Sequence, residues 1–346
     1  MVTKLTCNYT LGNETLVLQW HITSRCNQRC IHCYQDKYMS FDPKFEDMLN
    51  IVDQYKNLLL SIDRPGHINI TGGEPLVHND FFKLLELFKD NSSYFSYGIL
   101  SNGTMIDSSN AKKLKGFNPS FVQLSIEGDK NTHDLIRGNG NLSKVLKGLK
   151  CLTKYKIKTL VSFTAFKDNY KTFPSVLKLC HKNKASKIWT DRLVPLGGAE
   201  DIKNKCLSPE ETWEYFNIIN NCKKHQGIMH RKRTKIETKR SLQFLSDGGM
   251  PYKCNAGKNL LTVMEDGLVY PCRRLPIAIG NINQSTLAEI YKSSPLLKEF
   301  KSKRSPPKGC EKCSYFCACG GGAKCLSYAF TGNLYSRDPG CPILWE

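Results

Sequence analysis

The sequence predicts an α/β protein: a parallel sheet built from β/α units, followed by a smaller domain rich in cysteine. Across roughly the first 200 residues, strand-like segments alternate with helix-like segments, as in parallel β/α units. From Pro251 onward, cysteine and glycine become more frequent and the periodic segments shorten. In the first part a polar or glycine-rich motif follows each strand. We therefore expect the active site at the carboxyl edge of the sheet.

Six segments are typical of strands: residues 16–22, 67–70, 97–100, 121–126, 159–165 and 188–194. Helical spacing of apolar residues covers residues 42–62, 79–88, 141–155, 173–182 and 208–224. Asp42 and Ser208 are the expected N-caps, because a proline follows each of them at the first helical position. Residues 260–264 and 268–270 predict a β-hairpin.

These segments divide the chain into three parts. Residues 1–200 form the first domain, with a core at about 15–200. Residues 201–250 form a helical and basic bridge, and residues 251–346 form the cysteine-rich domain. The boundary between the last two parts is expected near residues 247–253.

Composition and charge limit the possible functions. The chain has 346 residues, a formal charge of +19 and 16 cysteines. No segment approaches ~18 consecutive apolar residues and the first residues lack the features of a signal peptide, so we expect a cytoplasmic protein without a membrane span. In that reducing compartment, clustered cysteines more often bind metal than form disulfides.

The positive charge favours an acidic partner: nucleic acid, an anionic membrane or an acidic peptide. The densest basic run lies within residues 230–240. A solvated helix or loop face is the simplest interpretation of that run. Because the run lacks interleaved aromatic residues, we expect no nucleic-acid partner.

Three cysteines follow the first predicted strand with the spacing Cys26-x3-Cys30-x2-Cys33. Three thiolates can hold three irons of a [4Fe-4S] cubane and leave the fourth iron open to an external ligand, which suits catalysis better than electron storage. A structural zinc site is one alternative, with His32 as the fourth ligand, although such sites usually contain paired Cys-x2-Cys units. A chance grouping of cysteines is the other.

Together with Tyr34, this cysteine motif resembles the signature of radical S-adenosylmethionine (SAM) enzymes. Gly72-Gly73-Glu74-Pro75 follows the second strand and is similar to the family motif that holds the amino group of SAM. The ends of the next two strands, and an arginine beyond them, also resemble the family, at Ser101, Asn102, Ser125 and Arg137.

The resemblance implies a partial (β/α)6 TIM barrel and a [4Fe-4S] cluster on Cys26, Cys30 and Cys33. That cluster would reductively cleave SAM to a 5′-deoxyadenosyl radical. Glu74 would accept hydrogen bonds from the SAM ammonium group, and Arg137 would pair with the SAM carboxylate. The backbone of Tyr34 would meet the adenine edge.

A second set of cysteines resembles the SPASM (or twitch) domain, an extension that carries two auxiliary Fe–S clusters. The resemblance implies that the farther cluster uses Cys310, Cys313, Cys319 and Cys341. The nearer cluster would use Cys254, Cys272 and Cys325. Cys325 stands two residues beyond the family position, which Ala323 occupies here. The fourth ligand of the nearer cluster stays open between Cys317, another group and the substrate.

Enzymes with this arrangement mostly modify peptides. The resemblance therefore implies an oxidoreductase that forms a thioether or C–C cross-link in a ribosomal precursor peptide, as in the pyrroloquinoline quinone peptide maturase and in thioether-forming enzymes. The alternatives are peptide epimerisation with a cysteine hydrogen donor, and oxidation of a small molecule such as a heme-type cofactor. A non-catalytic zinc or Fe–S protein that binds nucleic acid is the alternative from another class.

The expected partners are a precursor peptide with an acidic leader and a low-potential electron donor. Only 25 residues precede Cys26 in this sequence. We therefore expect no leader-binding domain there, and a separate leader-binding protein or the basic run in that role. Arg192, on the sixth predicted strand, is expected to meet the substrate.

Overall fold

The computed structural model describes residues 15–35, 38, 42–226, 234–246, 248, 251–252, 254–302 and 305–343. Within these residues, the first six strands alternate with helices, and four further strands follow. The strands are β1 (Leu16–His21), β2 (Gly66–Thr71), β3 (Phe95–Ser101), β4 (Phe121–Ser125), β5 (Thr159–Ala165), β6 (Lys187–Arg192), β7 (Lys235–Glu237), β8 (Leu260–Val263), β9 (Leu268–Tyr270) and β10 (Gly280–Asn281).

The helices of the described residues fall into two groups. Seven accompany the first six strands: α1 (Phe45–Ile62), α2 (Phe81–Asp90), α3 (Ser108–Phe117), α4 (Lys130–Arg137), α5 (Asn141–Lys154), α6 (Phe173–Lys182) and α7 (Pro209–Lys224). Four shorter ones belong to the C-terminal part: α8 (Leu287–Ser293), α9 (Pro295–Lys301), α10 (Phe316–Cys319) and α11 (Lys324–Thr331).

All ten strands belong to one sheet, in the order β10-β9-β8-β1-β2-β3-β4-β5-β6-β7. The pairings from β1 through β7 are all parallel. Parallel neighbours require crossover connections, which α1 to α7 supply. This arrangement confirms the predicted α/β fold and its partial barrel.

Residues alternate between the two faces of each strand. On β1, Leu16, Leu18 and Trp20 are fully buried and belong to the main apolar core. Val17 and Gln19, between them, line a cavity on the other face. Because several inward-facing residues are polar, that face is left open for a ligand instead of being packed with side chains.

The C-terminal hairpin extends the barrel sheet. As predicted, β8 and β9 are antiparallel neighbours. In addition, β8 pairs in parallel with β1, matching Val17 with Leu260 and Trp20 with Val263. The cysteine-rich part therefore shares a sheet with the barrel, and the division at residues 200 and 251 stays a prediction.

The predicted start of α1 is wrong. The N-cap is Lys44, because Asp42 is used elsewhere: its carboxylate accepts hydrogen bonds from Thr23 and Arg25. Asp42 therefore ties the segment before α1 to the loop that follows β1. Ser208 is the N-cap of α7, as predicted. The sequence patterns missed α3 and α4, which are short and polar.

Part of the basic run, residues 230–233, and residues 247, 249, 250 and 253 of the expected boundary lie outside the described residues. Among the described residues, no helix is both long enough and apolar enough to span a membrane.

A buried ion pair fastens the C-terminal segment to the barrel. The two terminal guanidinium nitrogens of Arg192, on β6, donate to the two carboxylate oxygens of Asp338 at 2.8 and 2.6 Å. Asp338 also accepts from the backbone N–H groups of Ala323 and Gly340. Since both side chains are almost fully buried, removal of either partner leaves an uncompensated charge.

We expect Asp338→Asn to lower the free energy of unfolding by about 3 kcal/mol, because the Arg192 guanidinium loses its buried counter-charge. Asp53→Asn is the matched control: Asp53 pairs with Lys56 at the surface, and its loss should cost less than about 1 kcal/mol. Denaturant unfolding of both variants under anaerobic conditions measures the difference. Equal losses would show that Arg192 does not depend on Asp338.

Candidate active site

The loop after β1 carries Cys26, Cys30 and Cys33, and all three cysteines line one cavity of about 590 Å³. A turn closed by the Cys33 N–H donating to the Cys30 carbonyl, at 3.1 Å, holds the second and third cysteines close. The Ile31 N–H donates to the Ile136 carbonyl, which fixes the loop against the end of α4. The structure therefore brings the predicted cysteine set together at the carboxyl edge of the sheet.

The three sulfur atoms are surrounded by hydrogen-bond donors. The backbone N–H of Gln28 donates to Cys26 Sγ at 3.4 Å, and that of Gln35 donates to Cys33 Sγ at 3.4 Å. Arg137 donates to Cys30 Sγ at 3.6 Å. Such donors stabilise thiolates, and hydrogen bonds to the sulfurs also help set the reduction potential of an Fe–S cluster.

Burial makes two of these thiols harder to ionise. Burial raises the pKa of Cys26 to about 11 and also raises that of Cys30, against which the Arg137 charge acts. Iron binding would supply the free energy of ionisation.

The spacing of the ligands also bears on the kind of metal site. In the described part of the chain, no three His, Cys, Asp or Glu side chains are placed so that they could bind one metal ion together. A cubane cluster differs from a single ion because each thiolate binds a separate iron. The donor set fits a cluster with three thiolate ligands.

Gly72 and Gly73 lie against the beginning of the cysteine loop. The Gly73 N–H donates to the Thr23 carbonyl at 2.8 Å, and the Glu74 N–H donates to the Arg25 carbonyl at 2.9 Å. A Cβ atom on Gly73 would lie 2.3 Å from the Arg25 carbonyl oxygen, so only glycine permits this approach. Both glycines line the cavity, and Pro75 begins a short 3₁₀ turn behind them.

The carboxylate of Glu74 is held by hydrogen-bond donors at the end of β3. It is fully buried behind the cavity wall, and it accepts from Ser101 Oγ at 2.8 Å and from the Asn102 N–H at 2.7 Å. Burial raises its pKa to about 7, although these donors oppose the shift. In this arrangement Glu74 braces Ser101 and Asn102, and its expected contact with the SAM ammonium group stays a prediction.

Ser101 and Asn102 themselves line the cavity. Asn102 Nδ2 lies 3.9 Å from Cys26 Sγ and donates to Asn27 at 2.8 Å. The brace on Glu74 therefore continues to the first cysteine. Ser125 also lines the cavity and lies 3.2 Å from Ser162 across β4 and β5.

Arg137 lies where the cysteine loop meets β4. Its Nε and NH2 groups donate to Glu127 Oε1 at 3.2 and 2.6 Å. Burial would raise the pKa of Glu127, but Arg137 and His32 outweigh burial and lower it to about 2. The Glu127 carboxylate is thus ionised and holds Arg137 beside Cys30, with the guanidinium at the cavity wall.

Tyr34 is clamped by a residue from the C-terminal part. Arg273 donates to the Tyr34 carbonyl at 3.2 Å, and its guanidinium carbon lies 4.8 Å from the centre of the Tyr34 ring. The clamp joins the end of the cysteine loop to the segment after Cys272. The sequence patterns assigned no contact to Arg273 and Asp338, because each acts through a partner distant in the chain. They also assigned none to Glu127, although its partner Arg137 is only ten residues away.

The C-terminal cysteines form two groups. Burial raises the pKa of Cys325, and the nearby sulfurs of Cys254 and Cys272 raise it further. In the other group, burial raises the pKa of Cys310 to about 11, with contributions from Cys313 and Cys341, and that of Cys319 to about 12. These electrostatic interactions fall within the two expected ligand sets, and the assignment of the cysteines to clusters stays a prediction.

The cavity extends from the first cysteine set to Cys272. Arg192 lines it, but both of its terminal nitrogens are engaged by Asp338, as described above. Its place in the structure is therefore a clamp on the C-terminal segment, and the expected contact with substrate stays a prediction.

Two family models match the chain. Residues 20–180 match the radical SAM superfamily, and residues 254–314 match the SPASM iron–sulfur cluster-binding domain. The first match contains the cysteine loop and the Gly72–Pro75 motif. The second contains Cys254, Cys272, Cys310 and Cys313.

The chain is similar to several curated proteins along nearly all of its length. It is 25% identical to the AdoMet-dependent heme synthase of Nitratidesulfovibrio vulgaris, covering 94% of this chain and 91% of that protein. It is 27% identical to the Fe-coproporphyrin III synthase of Methanosarcina barkeri, covering 95% and 88%. It is 24% identical to the mycofactocin maturase MftC of Mycolicibacterium smegmatis, covering 95% and 83%.

Two solved structures share the fold. SuiB of Streptococcus suis bound to S-adenosylmethionine superposes with a TM-score of 0.77 at 18% identity, covering 96% of this chain and 78% of that one. The anSMEcpe structure with bound AdoMet also gives 0.77, at 23% identity, covering 95% and 91%. With the cysteine loop, the glycine motif and both family matches in place, the chain is a radical SAM enzyme with a C-terminal SPASM iron–sulfur domain.

Proposed function

We propose that this enzyme oxidatively modifies a ribosomal precursor peptide and forms a thioether or C–C cross-link. The observation that carries the proposal is the charge of the cavity. Two acidic side chains, Asp191 and Glu237, line it against a larger basic set: Arg137, Lys187, Arg192, Lys239, Arg240 and Arg274. A lining of this sign concentrates an anionic substrate, such as an acidic peptide.

Cys26, Cys30 and Cys33 hold the [4Fe-4S] cluster, and the fourth iron is left for SAM. When bound, cluster and SAM supply the 5′-deoxyadenosyl radical that removes a hydrogen atom from the substrate. Gly72 and Gly73 offer backbone groups to the SAM ammonium group. Their place in the cavity wall supports this assignment, and Glu74, which follows them in the chain, is the side chain proposed to accept from the same group.

Other residues of the same cavity wall are assigned the remaining contacts with SAM. Arg137 pairs with the SAM carboxylate while Glu127 holds its other edge. Ser101, Asn102 and Ser125 bind polar groups of SAM along the strand ends, and the backbone of Tyr34 meets the adenine. The Arg273 clamp on the Tyr34 carbonyl keeps this end of the pocket in place.

Two auxiliary clusters complete the proposal. Cys254, Cys272 and Cys325 hold the nearer one, and Cys310, Cys313, Cys319 and Cys341 hold the farther one. The electrostatic interactions among the cysteine sulfurs of each set support both assignments. Cysteine thiols stay reduced in the cytosol, and we therefore place the enzyme in the cytoplasm. A low-potential electron donor there would reduce the first cluster. A separate leader-binding protein presents the acidic leader.

A second candidate is oxidation of a tetrapyrrole side chain. The similarity to a heme synthase and to an Fe-coproporphyrin III synthase, over 94–95% of this chain, favours it. Tetrapyrroles with carboxylate side chains are anionic, so the basic cavity suits them as well. The similarity to the mycofactocin maturase and the shared fold with SuiB, which has been crystallised with the precursor peptide SuiA, support the peptide proposal.

The radical SAM assignment predicts 5′-deoxyadenosine release by the anaerobically reconstituted enzyme with SAM and dithionite. Cys30→Ala should abolish release, because two thiolates cannot hold the site-differentiated cluster. Cys151→Ala is the matched control, since Cys151 lies on α5 outside the cavity and should leave release unchanged. Release by the Cys30 variant at the wild-type rate would contradict the assigned ligand set.

We expect Gly73→Ala to reduce the iron content several-fold, because the new Cβ atom would meet the Arg25 carbonyl at 2.3 Å and push the cysteine loop away. Gly116→Ala, on α3, is the control: nothing lies within 4 Å of a Cβ atom there. That variant should be neutral or more stable by about 0.5–1 kcal/mol. Iron and sulfide analysis of both proteins tests the prediction, and normal loading of the Gly73 variant would refute it.

The two substrate classes give different products. A cross-linked peptide loses two hydrogen atoms without losing a residue, which mass spectrometry detects. We expect this loss in a short acidic peptide encoded beside the gene, incubated with the reconstituted enzyme, SAM and reductant. An unchanged mass with an inverted residue would indicate epimerisation instead. Turnover of coproporphyrin with no turnover of the peptide would replace the proposal with the second candidate.

A further inference from the structure

One part of the cavity wall carries more positive charge than its neighbours neutralise. Asp191, on β6, lies there between two arginines that come from different segments. Arg274 NH1 is 2.7 Å from Asp191 Oδ2, and Arg240 Nε is 3.7 Å from the same oxygen. One carboxylate thus faces two guanidinium groups, and the other carboxylate oxygen accepts from the Arg192 backbone N–H.

The other basic residues of the cavity have their own counter-charges. Arg137 is paired with Glu127, and Arg192 with Asp338. Lys187 is paired with Glu237. Among the lining residues that the structure describes, the positive charge beyond these pairs lies at Arg240 and Arg274, together with the exposed Lys239.

Both arginines remain accessible from the cavity and are held in place. Their side chains are 32% and 28% exposed, against 13% for Asp191. The guanidinium of Arg240 lies 4.4 Å from the centre of the Trp189 ring, and the Trp189 indole N–H donates to Gln123. Stacking on an aromatic ring and a shared carboxylate leave part of the guanidinium edge available for a second anion.

Arg240 and Arg274 line the same cavity as several of the cysteines that are expected to hold the clusters. Arg274 lies within electrostatic reach of Cys272 and Cys325, and Asp191 lies at the carboxyl end of β6. The first cysteine set lines the same cavity. An anion bound by the two arginines would therefore lie in the cavity beside the nearer auxiliary cysteines.

We infer that Arg240 and Arg274 form a subsite for a carboxylate of the substrate, with Asp191 holding the two guanidinium groups in register. The inference rests on the proposed function in one respect: the cavity must bind the molecule that is modified. Its ligand chemistry is a carboxylate, from an acidic side chain of a peptide or from a propionate of a tetrapyrrole. Bidentate pairing of arginine with carboxylate is the strongest contact available to such a group.

The test measures binding to the reconstituted enzyme with SAM and without reductant, so that no turnover occurs. One arm uses an oligoglutamate peptide, with oligoglutamine as its neutral match. The other arm uses coproporphyrin III, with its tetramethyl ester as the match. The arm that binds identifies the source of the carboxylate, and we expect the neutral match of that arm to bind at least tenfold more weakly.

Three variants and one control separate this role from a structural one. Arg240→Gln and Arg274→Gln should each weaken the carboxylate probe about tenfold, because each removes a charged donor. Asp191→Asn should strengthen binding, because the amide oxygen can still accept from a guanidinium group and hold it in place, while the negative charge that competes with the substrate carboxylate is removed. Lys235→Gln, on β7 outside the cavity lining, removes one positive charge and should change nothing. Iron and sulfide content shows that each variant is loaded.

Weaker binding in Asp191→Asn would assign the three residues to the structure of the wall and overturn the inference. Equal affinity of the wild type and Arg240→Gln for the carboxylate probe would also overturn it. So would a wild-type enzyme that binds neither the oligoglutamate peptide nor coproporphyrin III. Failure of the proposed function has a different signature: the acidic peptide would keep its mass and its stereochemistry after incubation with the wild-type enzyme, SAM and reductant. Release of 5′-deoxyadenosine without carboxylate binding would leave the radical SAM assignment intact and remove only the subsite.

Discussion

The close backbone contact between the cysteine loop and the Gly72–Gly73 turn is the constraint on which the site depends. Strands β1 and β2 are parallel neighbours in register, so the loops that follow them leave the sheet side by side. Two backbone hydrogen bonds then lock one loop against the other. From Glu74 the support continues through Ser101 and Asn102 on the next strand to Cys26. The ligand loop is thus held by three adjacent strand ends.

Buried ion pairs fix the elements that the sheet leaves free. Glu127 holds Arg137 beside Cys30, and Asp338 holds the C-terminal segment against β6 through Arg192. Such pairs add little net stability compared with apolar packing, but breaking one is costly. They also define a single geometry because their hydrogen bonds are directional. The Arg192–Asp338 pair also holds the cysteine-rich part against the barrel, to which β8 already joins it through β1.

The sequence was most informative where short-range chemistry decides the outcome. The alternation of strands and helices, the Ser208 cap and the hairpin after residue 260 are local properties, and the structure has all of them. Asp42 also looked like a cap, but the residues that compete for its carboxylate, Thr23 and Arg25, are distant in sequence. Glu74 was recognised by its motif, yet its hydrogen bonds to the β3 end decide where its carboxylate lies. Pairing across the fold could not be read from spacing.

The same distinction applies to charge. A formal charge of +19 indicates an acidic partner but cannot say where that partner binds. In the folded chain, carboxylates from other segments neutralise Arg137, Lys187 and Arg192, so these residues hold the walls of the cavity. The charge that remains lies around Asp191, where two arginines share one carboxylate. Folding therefore concentrates positive charge that is dispersed along the sequence at one wall of the cavity, and the proposed carboxylate subsite rests on this local excess and not on the total charge.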